Sequence, residues 1–144
     1  MANRRQFRIS PLDLKKNTAV GVMLPLGGSP IFKLSYTTEE QSISNLKNLL
    51  LTRKGERPFQ PLFGTDIYSI LFENISPDVE STLRESLISD IGFWLPYIQL
   101  ATLDIIGERD NNSISISLSV RVNDVGGNVP IIVNVSSQGN ISID

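Results

Sequence analysis

The chain has no cysteine and no histidine in its 144 residues. Those two absences exclude disulfides, thiol nucleophiles, Cys/His zinc centres and Ser-His-Asp triads. Long apolar runs are missing too, since none approaches the roughly 20 residues needed to cross a bilayer. The basic start Met1-Ala2-Asn3-Arg4-Arg5 leads into Ser10, Pro11 and Asp13 rather than the apolar core of a secretory signal, so a soluble protein made in the cytoplasm is expected. A dominant charge sign is also absent. Thirteen basic against fifteen acidic residues leave a net charge of -2, which gives no general attraction to nucleic acid or to acidic membranes. Neither of those partners is expected, and no metal or other cofactor.

The chain is 40% hydrophobic, enough to bury a core, and one domain over residues 19–144 is expected behind an extended arm over 1–18. In the arm, basic, polar and isolated apolar residues alternate without a sustained period, and Pro11 interrupts any early helix. Val20, Val22, Leu24 and Leu26 then alternate up to a Gly27-Gly28-Ser29-Pro30 turn, after which Ile31 to Tyr36 resumes the pattern. Short extended segments follow, and Pro25 confines the first to an edge. The paired glycines are a plain turn, because no Lys-Ser/Thr follows as a phosphate loop requires.

Thr38 with Gln41 forms a capping-box pattern, Glu39 and Glu40 favour the positive helix end, and Ile43, Leu46, Leu49 and Leu50 make one apolar face. Arg53 and Lys54 are expected in the last turn, with Gly55 as the stop. Thr65 or Asp66 caps a short helix carrying Ile67, Ile70 and Leu71. Ser76-Pro77-Asp78 starts a longer helix over 77–94, with the stripe Val79, Leu83, Leu87, Ile91 and Trp94, and Pro96 ends it. Beyond Pro96 the period changes to that of strands. One strand runs from Ile98 through Ile106 with a phase slip near Thr102. A second alternates apolar and polar residues from Ser113 to Val122. A third carries Ile131, Val133 and Val135, with Ile132 on its other face, and Ile141 and Ile143 add a short terminal piece. Helices followed by strands predict an α+β fold, two to three helices packed on one face of a small antiparallel meander.

The density of special residues is highest in Arg53-Lys54-Gly55-Glu56-Arg57-Pro58-Phe59-Gln60-Pro61-Leu62-Phe63-Gly64. Pro58 and Pro61 stiffen this connector, and Phe59 and Phe63 are expected as buried anchors. Glu56 with Asp66 or Glu73 could be cast as a glycosidase acid/base pair, but nothing in their spacing supports it. Arg53, Lys54 and Arg57 could bind phosphate, yet Glu56 interrupts them and no aromatic residues interleave as a nucleic-acid surface requires. An ion-pair cluster that fixes the loop, with Glu56 on Arg53 or Arg57, is the stronger reading. No catalytic residue is assigned. The meander adds a further possibility, because its last strand leaves an edge along Ile131 to Val135 that either needs protection or recruits a partner strand.

The run Leu50-Leu51-Thr52-Arg53-Lys54-Gly55-Glu56-Arg57-Pro58, with Pro61-Leu62-Phe63-Gly64 and Leu71-Phe72-Glu73 behind it, resembles the signature of a baseplate wedge family of contractile-tailed phages. This is the gene-product-25-like or GPW-type family, which also has a member in the type VI secretion baseplate. The likeness extends over residues 20–136. One departure is Leu95-Pro96-Tyr97, where many members carry Glu-Pro-Arg. The resemblance implies a non-enzymatic virion protein of the tail baseplate, assembled in the host cytoplasm. Its implied partners are other wedge proteins, the tail sheath subunit, and central hub or tube proteins. It further implies a wedge contact at Leu95, Pro96 and Tyr97, and a sheath contact at Ile131, Val133 and Val135 that seeds the first sheath ring by strand augmentation. The alternatives are the corresponding subunit of a type VI-like secretion machine and a lysozyme-like peptidoglycan hydrolase. The family is often labelled lysozyme-like, but the lack of an acid/base pair weighs against the hydrolase.

Overall fold

A computed structural model describes residues 13–15, 17–24, 26–70, 77–108, 113–122, 128–135 and 141–143. In chain order the elements are β1 (Gly21–Val22), β2 (Leu34–Ser35), α1 (Thr38–Leu51), α2 (Ile67–Ile70), α3 (Pro77–Trp94), β3 (Ile98–Glu108), β4 (Ser113–Val122), β5 (Val129–Val135) and β6 (Ile141–Ile143). This is the expected α+β architecture. Residues 1–12 of the expected arm, Leu71, Glu73, the Ser76 cap and the turns over 109–112 and 123–127 lie outside the described residues.

The capping box of α1 forms one residue earlier than its sequence pattern predicts. Thr37, in extended geometry, accepts from the Glu40 amide, and the Glu40 carboxylate accepts from the Thr37 amide. Thr38 is free to do something else: its amide and hydroxyl both donate to Asp13, at 2.8 and 2.7 Å, which fastens the chain before β1 to the start of the helix. Gln41 is engaged elsewhere, with its carbonyl accepting from Ser35 Oγ and its amide donating to Asn45. At the other end the helix stops at Leu51, short of Arg53 and Lys54. Thr52 bonds back to Asn48 through both its amide and its hydroxyl while its own backbone turns extended.

The main sheet has four antiparallel strands in the order β3-β4-β5-β6, and β1 pairs with β2 in a separate ribbon. Alternation along β4 buries Ile114, Ile116, Leu118, Val120 and Val122 on one face. The expected phase slip in β3 is a register shift between Leu100 and Thr102. It leaves Leu103 and Ile105 facing inward and turns Ile106 out, 60% exposed. Helices α1 and α3 pack against the apolar face, and Leu46, Leu49, Leu50, Leu83, Leu87 and Ile91 meet the inward residues of the sheet in one core. Each such fully buried aliphatic side chain stabilises the fold by about 1.5–3 kcal/mol.

One expectation about the sheet needs correction. β5 is not its outer strand over Val133–Val135, because β6 pairs with it there, Val133 opposite Ile143 and Val135 opposite Ile141. The side chains of Ile131 and Val133 point into the core at 1% and 0% exposure. A hydrophobic strand this short gains backbone partners by folding back on its neighbour, which the three-residue segment Ile141–Ile143 does.

Candidate interaction site

The loop between α1 and α2 is closed at its base by the two segments that enter and leave it. The Thr65 amide donates to Thr52 O at 2.9 Å, Thr65 Oγ1 donates to Leu50 O, and Arg53 bridges Thr65 in parallel. Tyr68 adds its hydroxyl to Leu51 O. Gly64 makes this closure possible. With φ at +127° it adopts a backbone that side chains rarely tolerate, and a Cβ there would sit 2.5 Å from Thr52 O. Within the loop, the Gly55 amide donates to Pro61 O at 2.7 Å, and the amides of Gln60 and Phe63 donate to Arg57 O and Gln60 O. The loop is an internally bonded unit, as the prolines predict.

Its charges are arranged differently from the sequence reading. Glu56 pairs with neither arginine side chain. Its carboxylate accepts from the Arg53 amide at 3.1 Å, a local turn bond that its spacing of three residues favours. Arg57 donates to Asn48 Oδ1 and lies over the Phe63 ring, 4.0 Å from its centre. The ion pairs belong to Lys54, whose ammonium sits 2.7 Å from Asp66 and 2.8 Å from Asp90, with the single Ser86 hydroxyl proton in reach of either carboxylate. Burial pulls the Lys54 pKa down, and the hydrogen bonds and attraction of Asp66 and Asp90 outweigh it, so the net shift is upward. Lys54 thereby clamps the loop to α3.

The two phenylalanines divide. Phe63 packs against the core and meets Trp94 edge-on at 5.2 Å, and Trp94 meets Phe93 at 5.0 Å. Phe59 is not an anchor: it is 99% exposed, beside Leu62 at 77%, and Pro58 and Pro61 are exposed with them. Three hydrogen-bonded turns, Glu56 to Arg53, Gln60 to Arg57 and Phe63 to Gln60, hold the loop backbone, and Phe59 projects from it into solvent. The aromatic row ends at Phe93, which is 75% exposed on the surface of α3.

The Leu95-Pro96-Tyr97 corner also divides. Leu95 is a core residue, 6% exposed, whose amide donates to Ile91 O and whose carbonyl accepts from the Ile98 amide. It is therefore no contact surface. Pro96 is exposed, and half-buried Tyr97 accepts from Asn45 through its hydroxyl at 3.1 Å. Tyr97 borders a shallow groove of about 200 Å³ lined also by Val20, Thr38, Gln41, Ser42 and Asn45. A second hollow of about 370 Å³ lies between α2 and α3, with Asp66, Asp78 and Ser86 on its rim and Val79 and Leu83 on its floor. Among the described residues, no group of three or more acidic side chains is placed to hold a metal ion.

Sequence reasoning missed the α3 side of the clamp. The signal was there in part, since Ser86 and Asp90 are four apart on one helix face, but nothing local ties them to Lys54. It also missed Arg84, whose guanidinium donates to the Leu103 carbonyl on β3.

A family model described as baseplate wedge protein gp25 matches residues 20–126. The baseplate wedge protein gp25 of Enterobacteria phage T4 is 33% identical over 85 residues, 58% of this chain and 64% of that relative. The chain thus spans less than two thirds of the length of the curated relative it matches. Three solved structures share the fold. A Geobacter sulfurreducens protein provisionally named a tail lysozyme matches with a TM-score of 0.60 at 20% identity, over 69% of this chain and 91% of that one. A chain of the anti-feeding prophage baseplate gives 0.57 at 19% identity, covering 70% and 81%. A chain of the type VI secretion baseplate complex gives 0.55 at 17%, covering 67% and 90%.

Proposed function

Because the chain belongs to the baseplate wedge protein gp25 family, we propose that it is a structural, non-enzymatic subunit of a contractile-tail baseplate in the phage virion. In this reading it joins neighbouring wedge proteins through its rigid loop and its Pro96-Tyr97 corner, and it seeds the first ring of sheath by accepting strands at a sheet edge. The relatives in phage T4, in the anti-feeding prophage and in the type VI machine are named as baseplate components, which supports the assembly context.

The observation that carries the sheath part is the strand order. β3 runs for eleven residues with β4 on one side and no strand on the other among the described residues. A long unpaired edge presents backbone donors and acceptors in a row, which an extended segment of another protein can satisfy. The hydrolase reading has no comparable support, since Glu56 is exposed and its carboxylate is spent on a turn.

The test is complementation of particles that lack this protein with a variant blocked at both sheet edges, Gly107→Pro with Ile141→Pro. Proline removes the outward edge amide at each of the two positions. Baseplates should form and sheath should fail to polymerise on them, as seen by electron microscopy. Sheath of normal length on the variant baseplates would end the templating idea.

A further inference from the structure

The parity of the sheet decides which backbone groups face outward. In an antiparallel ladder, opposed residues alternate between pairs that exchange both hydrogen bonds and pairs that exchange none. Pro130 lies opposite Ser119 and has no amide to give, so that pair belongs to the second kind. Counting from it, Leu118 and Ile131 bond to each other, and the backbone groups of Leu118 are turned away from β3. Leu103, opposite Leu118, therefore directs its amide and carbonyl to the outer edge, as do Ile105 and Gly107 opposite Ile116 and Ile114. The same count, carried past the register shift, turns the Ile98 amide outward, where it donates to Leu95 O at 2.9 Å.

The edge of β3 is thus in two states along its length. From Ile98 to Leu103 it is occupied or broken: Leu95 takes the first amide, the register shift interrupts the spacing at Ala101, and Arg84 of α3 holds the Leu103 carbonyl. From Asp104 to Gly107 no described group covers it, and the amides and carbonyls of Ile105 and Gly107 stand open. The solvent face of this stretch offers exposed Asp104 and, at 60% exposure, Ile106.

Resting on the augmentation reading above, we infer that the added strand pairs with β3 along Asp104–Gly107 and that Arg84 sets where the pairing stops. The guanidinium occupies the next outward carbonyl in the row, so a partner strand that runs past Ile105 meets a filled position. The partner segment that fits is extended, with an apolar β-branched or aromatic residue beside Ile106 and a basic residue beside Asp104. Arg84 acts here as a positioning residue, through the backbone it covers.

Amide hydrogen exchange, measured on the full chain alone and with the purified tail sheath subunit of the same particle, tests this. The Ile105 and Gly107 amides should slow by about tenfold or more on mixing. In Arg84→Ala the slowed region should extend to the Leu103 amide, an effect that loss of a merely stabilising contact would not produce. Gly107→Pro should abolish the protection at Ile105. Protection at Ile141 and Ile143 instead of β3 would overturn this inference and leave strand augmentation standing. Protection at neither edge would overturn both. Protection on β3 that does not move in Arg84→Ala would remove the role given to Arg84.

Discussion

Gly64 and Gly55 look alike in the sequence and differ in what they do. Both have a positive φ, +127° and +89°, but a Cβ on Gly55 meets nothing within 4 Å, whereas on Gly64 it would strike Thr52 O and the backbone of Arg53 and Lys54. Gly55→Ala therefore meets only the torsional cost, about 1–2 kcal/mol. Gly64→Ala adds steric overlap at the loop base and should cost about 3 kcal/mol or more. Urea unfolding of the two variants checks this ordering, and equal midpoints would contradict it. Such a difference is invisible to spacing or composition, since it depends on which backbone passes 2.5 Å away.

At the level of elements, the loop and α3 are joined by Lys54. Its folded pKa lies above the ordinary 10.5, and that of Tyr68, raised chiefly by burial and then by Glu56, lies above the ordinary 10.0. In both cases the folded chain holds the proton more tightly than the unfolded chain. The stability linked to each proton is fully present below the unfolded pKa and is lost as pH rises through the folded value. Denaturant midpoints should accordingly fall from pH 9 to pH 11.5. In Lys54→Met the fall should be shallower, because of these two groups Tyr68 alone still contributes, and the midpoint at pH 8 should drop because Asp66 and Asp90 lose the cation between them. A fall as steep as in the parent chain would show that Lys54 is not the linked group.

The elements themselves were largely legible. The period of α3 and its Pro96 stop led to bounds of 77–94, and the structure has Pro77–Trp94. The alternation of β4 over ten residues and the slip in β3 were equally plain, because side-chain direction in a strand follows parity directly. The α1 terminus was less so. Gly55 reads as a stop, but the Thr52 side chain competes for the Asn48 carbonyl and ends the helix a turn sooner.

On the scale of the whole molecule, the surfaces proposed for assembly are the loop tip, the Pro96-Tyr97 corner and the sheet edges. The tip is the clearest case for separating fold from assembly. Phe59 is 99% exposed, so Phe59→Ser should change the unfolding free energy by no more than about 0.5 kcal/mol. If the tip seats in a wedge neighbour, an exposed aromatic on a rigid support is the kind of residue that dominates such a contact, and incorporation into baseplates should fall about tenfold. Incorporation at the parent level, with an unchanged fold, would remove the tip from the list of contacts.

The cluster of prolines, phenylalanines and charges after α1 marked this loop as ordered, and the sequence pattern identified its family, its fold class and the strands that face the core. Those properties depend on residue type and period, which the chain carries locally. Only the tertiary structure decided that Lys54 rather than Glu56 forms the ion pairs, that Phe59 is presented and Leu95 hidden, and that β6 covers the strand expected at the edge. Each of these depends on which segments distant in sequence come to lie side by side, and that is settled by packing the helices and the sheet around one core.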